Sequence, residues 1–131
     1  MKKVLILCTG NSCRSIIAEA LINKYLNIEA YSSGVNPTGK VNPNAQKVLE
    51  EEGAWREEYH SKTLDSLAHL EFNLVVTVCD HAREVCPHFP KKVQVIHVGF
   101  EDPTGKEFEA YQETLEEIKK KLLPIVRKKL S

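Results

Sequence analysis

The chain has 131 residues, of which 42% are hydrophobic and 27% are charged, and its 18 basic side chains balance 18 acidic ones. This length and composition are typical of one globular domain, so we expect residues 1–131 to form a single domain. Because the net charge is zero and no apolar run approaches the roughly 20 residues that cross a bilayer, we expect no nucleic acid and no membrane among its partners.

The predicted elements alternate between strand and helix from the start of the chain. Residues 4–7 form a short apolar run that suits a strand buried on both faces. Helical spacing with one apolar face follows at 15–26, and a second strand is predicted at 28–33. The next helix is predicted at 43–52, with Gly53 as its C-cap.

The second half of the chain continues this alternation. Residues 54–70 predict a loop with a short helix, and strands follow at 72–78 and 93–98. A long helix is predicted at 108–130, and Pro124 should bend or interrupt it because proline lacks a backbone donor. The order of elements predicts an α/β fold in which a four-stranded parallel sheet is flanked by helices.

The amino terminus and the cysteines indicate the compartment. The start, MKKVLILCTG, resembles a signal peptide for only its first seven residues and lacks a small-residue cleavage site. We therefore expect a cytoplasmic protein. In that compartment, cysteines are more typical of catalytic, redox or metal sites than of structural disulfides. The chain has four of them: Cys8, Cys13, Cys79 and Cys86.

The stretch CTGNSCRS, residues 8–15, connects the first predicted strand to the first predicted helix. Ligands bind at the carboxyl ends of parallel strands, where Cys8 is expected. Backbone N–H groups of the turn can converge on an anion, since Gly10 allows close approach and Arg14 can hold two oxygens. Arg14 and the helix N-terminus should also lower the pKa of Cys8. A buried cysteine that merely precedes a turn is the alternative interpretation.

The pattern C-x5-R-S at this junction resembles the low-molecular-weight protein tyrosine phosphatase family. CTGNSCRS followed by AEA is similar to that family's thioredoxin-coupled arsenate reductase branch. The similarity continues through YSSG at 31–34, VNP at 41–43, LVVTVC at 74–79, CP at 86–87 and GFEDPTGKE at 99–107. The resemblance implies that family's fold and an oxyanion-binding loop. The loop would consist of Thr9, Gly10, Asn11, Ser12, Cys13, Arg14 and Ser15.

The resemblance also implies an activity, the reduction of arsenate, a phosphate analogue, to arsenite without a cofactor. Cys8 would form the arsenate adduct, assisted by Arg14, and Asp102 would protonate the departing oxygen. Cys79 would then attack Cys8 and release arsenite. Cys86 would attack the Cys8–Cys79 bond and leave a Cys79–Cys86 disulfide for thioredoxin to reduce. We expect a monomer, and the resemblance allows residual phosphatase activity.

Two other functions remain open from the sequence. A tyrosine phosphatase would hydrolyse phosphate monoesters through a Cys8 phospho-enzyme. However, Thr104 and Gly105 follow Asp-Pro where such phosphatases usually carry an aromatic residue, which favours a small inorganic substrate. Alternatively, the cluster C-x-H-x4-C-x-H at 79–88 could hold zinc, or the thiols could bind arsenite, in a protein that is not an enzyme.

Some members of the family bind potassium beside this loop through Asn, Glu, Ser and Asp. Asn11, Glu19 and Ser32 match the first three, but Lys62 and Thr63 stand where the Asp should fall. Lys62 could therefore replace the charge of the cation.

The spacing of Cys79 and Cys86 predicts a conformational change. Seven positions span about 10.5 Å as helix and more than about 20 Å as strand, whereas a disulfide needs Cα atoms within about 7 Å. We therefore expect residues 80–92 to rearrange when this bond forms. Cys13, within the loop, could be a back-up thiol, although packing beneath the loop is the favoured interpretation.

Overall fold

A four-stranded parallel sheet organises the protein, whose computed structural model describes residues 1–80, 89 and 93–131. Within these residues the strands lie in the order β2-β1-β3-β4. They are β1 (Lys3–Cys8), β2 (Glu29–Gly34), β3 (Leu74–Thr77) and β4 (Gln94–His97). The predicted α/β fold with a parallel sheet is confirmed.

Helices connect and cover the strands. In the described residues they are α1 (Arg14–Tyr25), α2 (Pro43–Glu52), α3 (Phe108–Lys129) and a short 3₁₀ helix (Leu64–Leu67). The bounds of α2 are those predicted, because both of its ends carry strong local signals. The side chain of Asn42 accepts a hydrogen bond from the N–H of Asn44, and Gly53 ends the helix in the left-handed conformation at φ 75°.

Helix α1 is buried more completely than one apolar face would suggest. Every residue from 15 to 22 is buried, because the helix packs against the sheet and against both α2 and α3. Glu19 lies within this stretch with only 4% of its surface exposed. A carboxylate in such a position requires polar partners.

Of the two predicted effects of Pro124, a bend or an interruption, the interruption does not occur, since α3 continues for 22 residues. Proline inside a helix costs about 3 kcal/mol. Its neighbours Leu122, Leu123 and Val126 are buried in the main core, and each contributes about 1.5–3 kcal/mol by leaving water. The burial of this apolar face outweighs the lost hydrogen bond.

The order of the strands places a crevice beside Cys8. From β1 the chain continues to β2 on one side and later to β3 on the other, and ligands bind in parallel sheets where the order reverses in this way. Cys8 ends β1, and Cys79 follows β3 by two residues. Both cysteines therefore lie at the same edge of the sheet, as expected.

Some expectations fall outside the described residues. These are the position of Cys86, the zinc cluster that needs His81 and His88, and the rearrangement of residues 80–92, of which only 80 and 89 are described. Within the described residues, none of the helices combines the length and apolar character that a membrane crossing needs.

Candidate active site

The loop after β1 turns its carbonyl groups outward. The carbonyl groups of residues 8, 9, 10, 12 and 13 accept hydrogen bonds of 2.8–3.0 Å from surrounding backbone N–H groups. The donors are Ile17, Val35, Asn36, Thr38 and Asn42. In the part of the chain that the structure describes, the N–H groups of residues 10–13 have no protein acceptor. They are therefore available to an anion.

Asn11 holds this loop from behind. Its amide nitrogen donates to the hydroxyl groups of Ser15 and Ser32 at 2.8 and 2.9 Å, and its amide oxygen accepts from the backbone N–H of Lys62 at 2.9 Å. The residue is fully buried and has a left-handed backbone with φ 48°, which costs about 1–3 kcal/mol. Three hydrogen bonds in a buried site offset that strain.

Gly34 allows the loop to approach β2. A Cβ atom at this position would lie 2.6 Å from the carbonyl oxygen of Thr9, a distance that no side chain tolerates. The shape of the loop is therefore fixed by its surroundings before any ligand binds.

Lys62 and Glu19 lie next to Asn11. The ammonium of Lys62 is 4.0 Å from Oε1 of Glu19 and donates to the carbonyl of His60 at 2.9 Å, and Ser32 donates to the same Glu19 oxygen at 2.5 Å. Burial raises the pKa of Glu19 to about 7 although Lys62 opposes the shift, and burial lowers the pKa of Lys62. A lysine thus supplies positive charge among the three residues matched to a potassium site.

Cys8 and Cys79 are buried neighbours. The side chain of Cys79 interacts with the thiol of Cys8, and Oγ1 of Thr9 lies 3.1 Å from Sγ of Cys79. The contact with Cys79 and burial raise the pKa of Cys8, and they outweigh Arg14 and the N–H of Thr9, which lower it. The expected lowered pKa of Cys8 is therefore wrong for this arrangement, because two buried thiols share one site.

Arg14 connects the loop to Asp102. One guanidinium nitrogen donates to the carbonyl of Phe100 at 2.9 Å, and another lies 3.5 Å from Oδ2 of Asp102. Burial alone would raise the pKa of Asp102, but hydrogen bonds with Thr104 and the charge of Arg14 bring it below its usual value. Asp102 is therefore ionised in this arrangement.

Cys13 belongs to the core. It is 4% exposed, packs in the main hydrophobic cluster and precedes α1 as its N-cap. Burial raises its pKa to about 12, so it remains a protonated thiol. These observations favour packing over a reactive role.

The structure brings Cys8, Arg14, Cys79 and Asp102 to one crevice, while Cys86 lies outside the described residues. Sequence reasoning missed the contact between the Thr9 side chain and Cys79, since 70 residues separate the pair. It also missed Ser61, whose hydroxyl donates to the carbonyl of Gly10 at 3.0 Å. Neither contact has a signal in local spacing.

Comparisons with known proteins agree with this geometry. The sequence profile described as low molecular weight phosphotyrosine protein phosphatase matches residues 3–130. A relative named arsenate reductase, from Bacillus cereus (strain AH187), is 44% identical over 119 residues, which cover 89% of this chain and 88% of the relative.

Solved structures resemble the fold over almost the whole chain. A low molecular weight protein tyrosine phosphatase from T. tengcongensis has a TM-score of 0.82 at 28% identity and covers 99% of this chain and 100% of that one. A thioredoxin-dependent arsenate reductase from Corynebacterium glutamicum has a TM-score of 0.80 at 25% identity, with 98% of this chain and 62% of that one covered.

Proposed function

Since this chain belongs to the low molecular weight phosphotyrosine protein phosphatase family, we propose that it is a cytoplasmic enzyme that reduces arsenate to arsenite with electrons from thioredoxin. The observation that carries the proposal is the placement of two buried thiols, Cys8 and Cys79, at the same edge of the sheet. Hydrolysis of a phosphate ester needs one thiol, whereas reduction of arsenate needs two electrons, which two thiols provide by forming a disulfide. The arsenate reductase name of a 44% identical relative supports the same activity.

The first step forms the adduct with Cys8. Arsenate enters the loop, accepts hydrogen bonds from its N–H groups and takes Arg14 away from Asp102. Besides the hydrogen bonds with Thr104, the charge of Arg14 lowers the pKa of Asp102, so Asp102 becomes more basic when Arg14 moves and accepts the proton that Cys8 must release. As the sulfur of Cys8 bonds to arsenic, one As–O bond breaks, and the oxygen leaves as water with protons from Asp102 and the substrate.

The second step transfers the electrons. The thiolate of Cys79, stabilised by the hydroxyl of Thr9 at 3.1 Å, attacks the sulfur of Cys8. An S–S bond forms and the S–As bond breaks. Its electron pair stays on arsenic, which leaves as arsenite. Two thiols are oxidised to one disulfide while As(V) becomes As(III).

The third step regenerates the enzyme. Cys86 attacks the sulfur of Cys79, so Cys8 leaves as a thiolate and a Cys79–Cys86 disulfide remains. The dithiol of thioredoxin reduces that disulfide. The name of the Corynebacterium glutamicum structure, a thioredoxin-dependent arsenate reductase, supports thioredoxin as the reductant.

A coupled assay tests the proposal. Arsenate-dependent oxidation of NADPH is measured with thioredoxin and thioredoxin reductase on metal-free protein, beside hydrolysis of p-nitrophenyl phosphate. We expect sustained NADPH oxidation with stoichiometric arsenite. Hydrolysis without arsenite formation would overturn the proposed reductase activity and identify a phosphatase. Arsenite binding without either activity would identify a binding protein.

Hydrolysis of phosphate monoesters is the second candidate function. The family match and the T. tengcongensis phosphatase structure favour it, as does the placement of Asp102 beside Arg14. Thr104 and Gly105 offer no aromatic surface to a phosphotyrosine ring. We therefore propose hydrolysis as a residual activity.

A further inference from the structure

His97 is held on three sides where β3 and β4 end. Thr77 is its partner in the sheet register, and Oγ1 of Thr77 lies 2.7 Å from Nδ1 of the ring. The other ring nitrogen, Nε2, lies 3.2 Å from Oδ1 of Asp80. A Cβ atom on Gly99 would come within 3.0 Å of Nε2, so this glycine makes room for the ring. Both ring nitrogens therefore have partners, and the ring has one orientation.

These contacts fix the chain on both sides of Cys79. The N–H of Phe100 donates to the carbonyl of Val78 at 3.1 Å, one residue before Cys79. The contact between Asp80 and His97 holds the chain one residue after it. Cys79 thus lies between a backbone hydrogen bond and a side-chain contact, with its sulfur beside Thr9.

We propose that His97 and Asp80 are positioning residues that keep the Cys79 thiol against Cys8 for the electron-transfer step, an inference that rests on the proposed function. The Asp80 side chain is 88% exposed, and contacts of such exposed ions contribute little to global stability. Their effect is local, because the rate at which one held thiol attacks another depends strongly on its position.

The experiment uses the full chain with Cys86→Ser, so that chemistry stops at the Cys8–Cys79 disulfide. His97→Ala and Asp80→Ala are each introduced into this background. The equilibrium between that disulfide and the glutathione pair gives the effective concentration of one thiol towards the other, without arsenate. Arsenite released in a single turnover and hydrolysis of p-nitrophenyl phosphate are measured beside it.

We expect both variants to lower the effective concentration and the single-turnover rate about tenfold, with hydrolysis unchanged. His97→Gln, whose amide can still reach Asp80, and Asp80→Asn, which keeps an acceptor oxygen, should recover most of the loss. Because Asp80 is exposed, Asp80→Ala tests the inference even if His97→Ala folds poorly.

Unchanged glutathione equilibria in both variants would overturn the inference. A parallel fall in hydrolysis would also overturn it, because the ring would then support Gly99 and the loop that carries Asp102 instead. Lower effective concentrations in a protein that never releases arsenite would support the positioning role while the proposed function fails.

Discussion

The ammonium of Lys62 lies 4.0 Å from the carboxylate of Glu19, and only 9% and 6% of these two side chains are exposed. Removing two charges from water costs desolvation free energy, and the attraction between the opposite charges offsets part of that cost. The backbone of Lys62 also donates to Asn11, so the pair lies directly behind the loop that follows β1.

Lys62→Met should therefore destabilise the protein in a pH-dependent way. The pKa of Glu19 is raised to about 7 by burial, so its fold-stabilising protonated form is lost as pH rises through that value. Without Lys62 the pKa rises further, and the unpaired carboxylate should cost about 3 kcal/mol near pH ~8 but much less near pH ~5.5. Urea unfolding of variant and wild type at both pH values measures the difference.

The matched control is Lys62→Met combined with Glu19→Gln. Since this double variant removes both charges, it should recover most of the loss near pH ~8. An equal loss at both pH values, or no recovery in the double variant, would show that the two charges are not coupled.

Potassium should not be needed by the wild-type protein. Because the Lys62 ammonium lies beside Glu19, we expect stability and hydrolysis to be unchanged when potassium is replaced by choline at constant ionic strength. Lys62→Ala removes that charge and should create a dependence on potassium. The melting temperatures of both proteins in the two salts measure this dependence. A wild-type melting temperature that is higher in potassium than in choline would contradict the expectation.

Cys8→Ser should abolish arsenate reduction and ester hydrolysis together, because both begin at that sulfur. Arg14→Lys should reduce both strongly, since a point charge cannot hold two oxygens and the Phe100 carbonyl as a guanidinium does. Cys13→Ala is the control, and it should keep both activities with a stability loss of about 1 kcal/mol. Turnover by Cys8→Ser would show that Cys8 is not the nucleophile.

Cys79→Ala should increase the reactivity of Cys8 while it stops arsenate reduction. Cys79 is the largest cause that raises the pKa of Cys8, so without it the pKa falls and more thiolate exists near neutral pH. The rate of Cys8 alkylation by iodoacetamide as a function of pH measures this shift. A midpoint that stays in place or rises would mean that burial alone controls the thiol.

Cys86→Ser should separate the two activities. Ester hydrolysis needs no resolving thiol and should remain, whereas arsenate reduction should stop after one turnover with a Cys8–Cys79 disulfide. Mass spectrometry identifies the trapped bond. Continued turnover with thioredoxin would count against the relay.

The fold could be predicted closely from the sequence where the signals are local. Buried strands are continuous apolar runs, and α2 is marked by Pro43 and Gly53 at its ends. Whether Pro124 interrupts the last helix could not be predicted, because the strength of tertiary burial on either side of it is not visible in local sequence.

In the candidate site, too, the features encoded by neighbouring residues could be predicted and those that depend on tertiary contacts could not. The loop was predictable because its residues are contiguous, and the parallel sheet rule placed Cys8 and Cys79 at one edge. The sign of the Cys8 pKa shift was not, since it depends on contact with a thiol 71 positions away. The roles proposed for Thr9 and His97 likewise depend on contacts made only in the folded chain.

The loop that Asn11 and Gly34 hold in shape has a consequence for selectivity. A cavity that is complete before its ligand arrives accepts any tetrahedral anion of the right size and charge, and phosphate has the same shape as arsenate. We therefore expect phosphate to occupy the site and to slow the enzyme as a competitor. Discrimination then arises after entry: sulfur can bond to either central atom, but only arsenic keeps the electron pair of that bond and is reduced by a second thiol. If the chain reduces arsenate as proposed, its rate would therefore fall as the phosphate concentration rises.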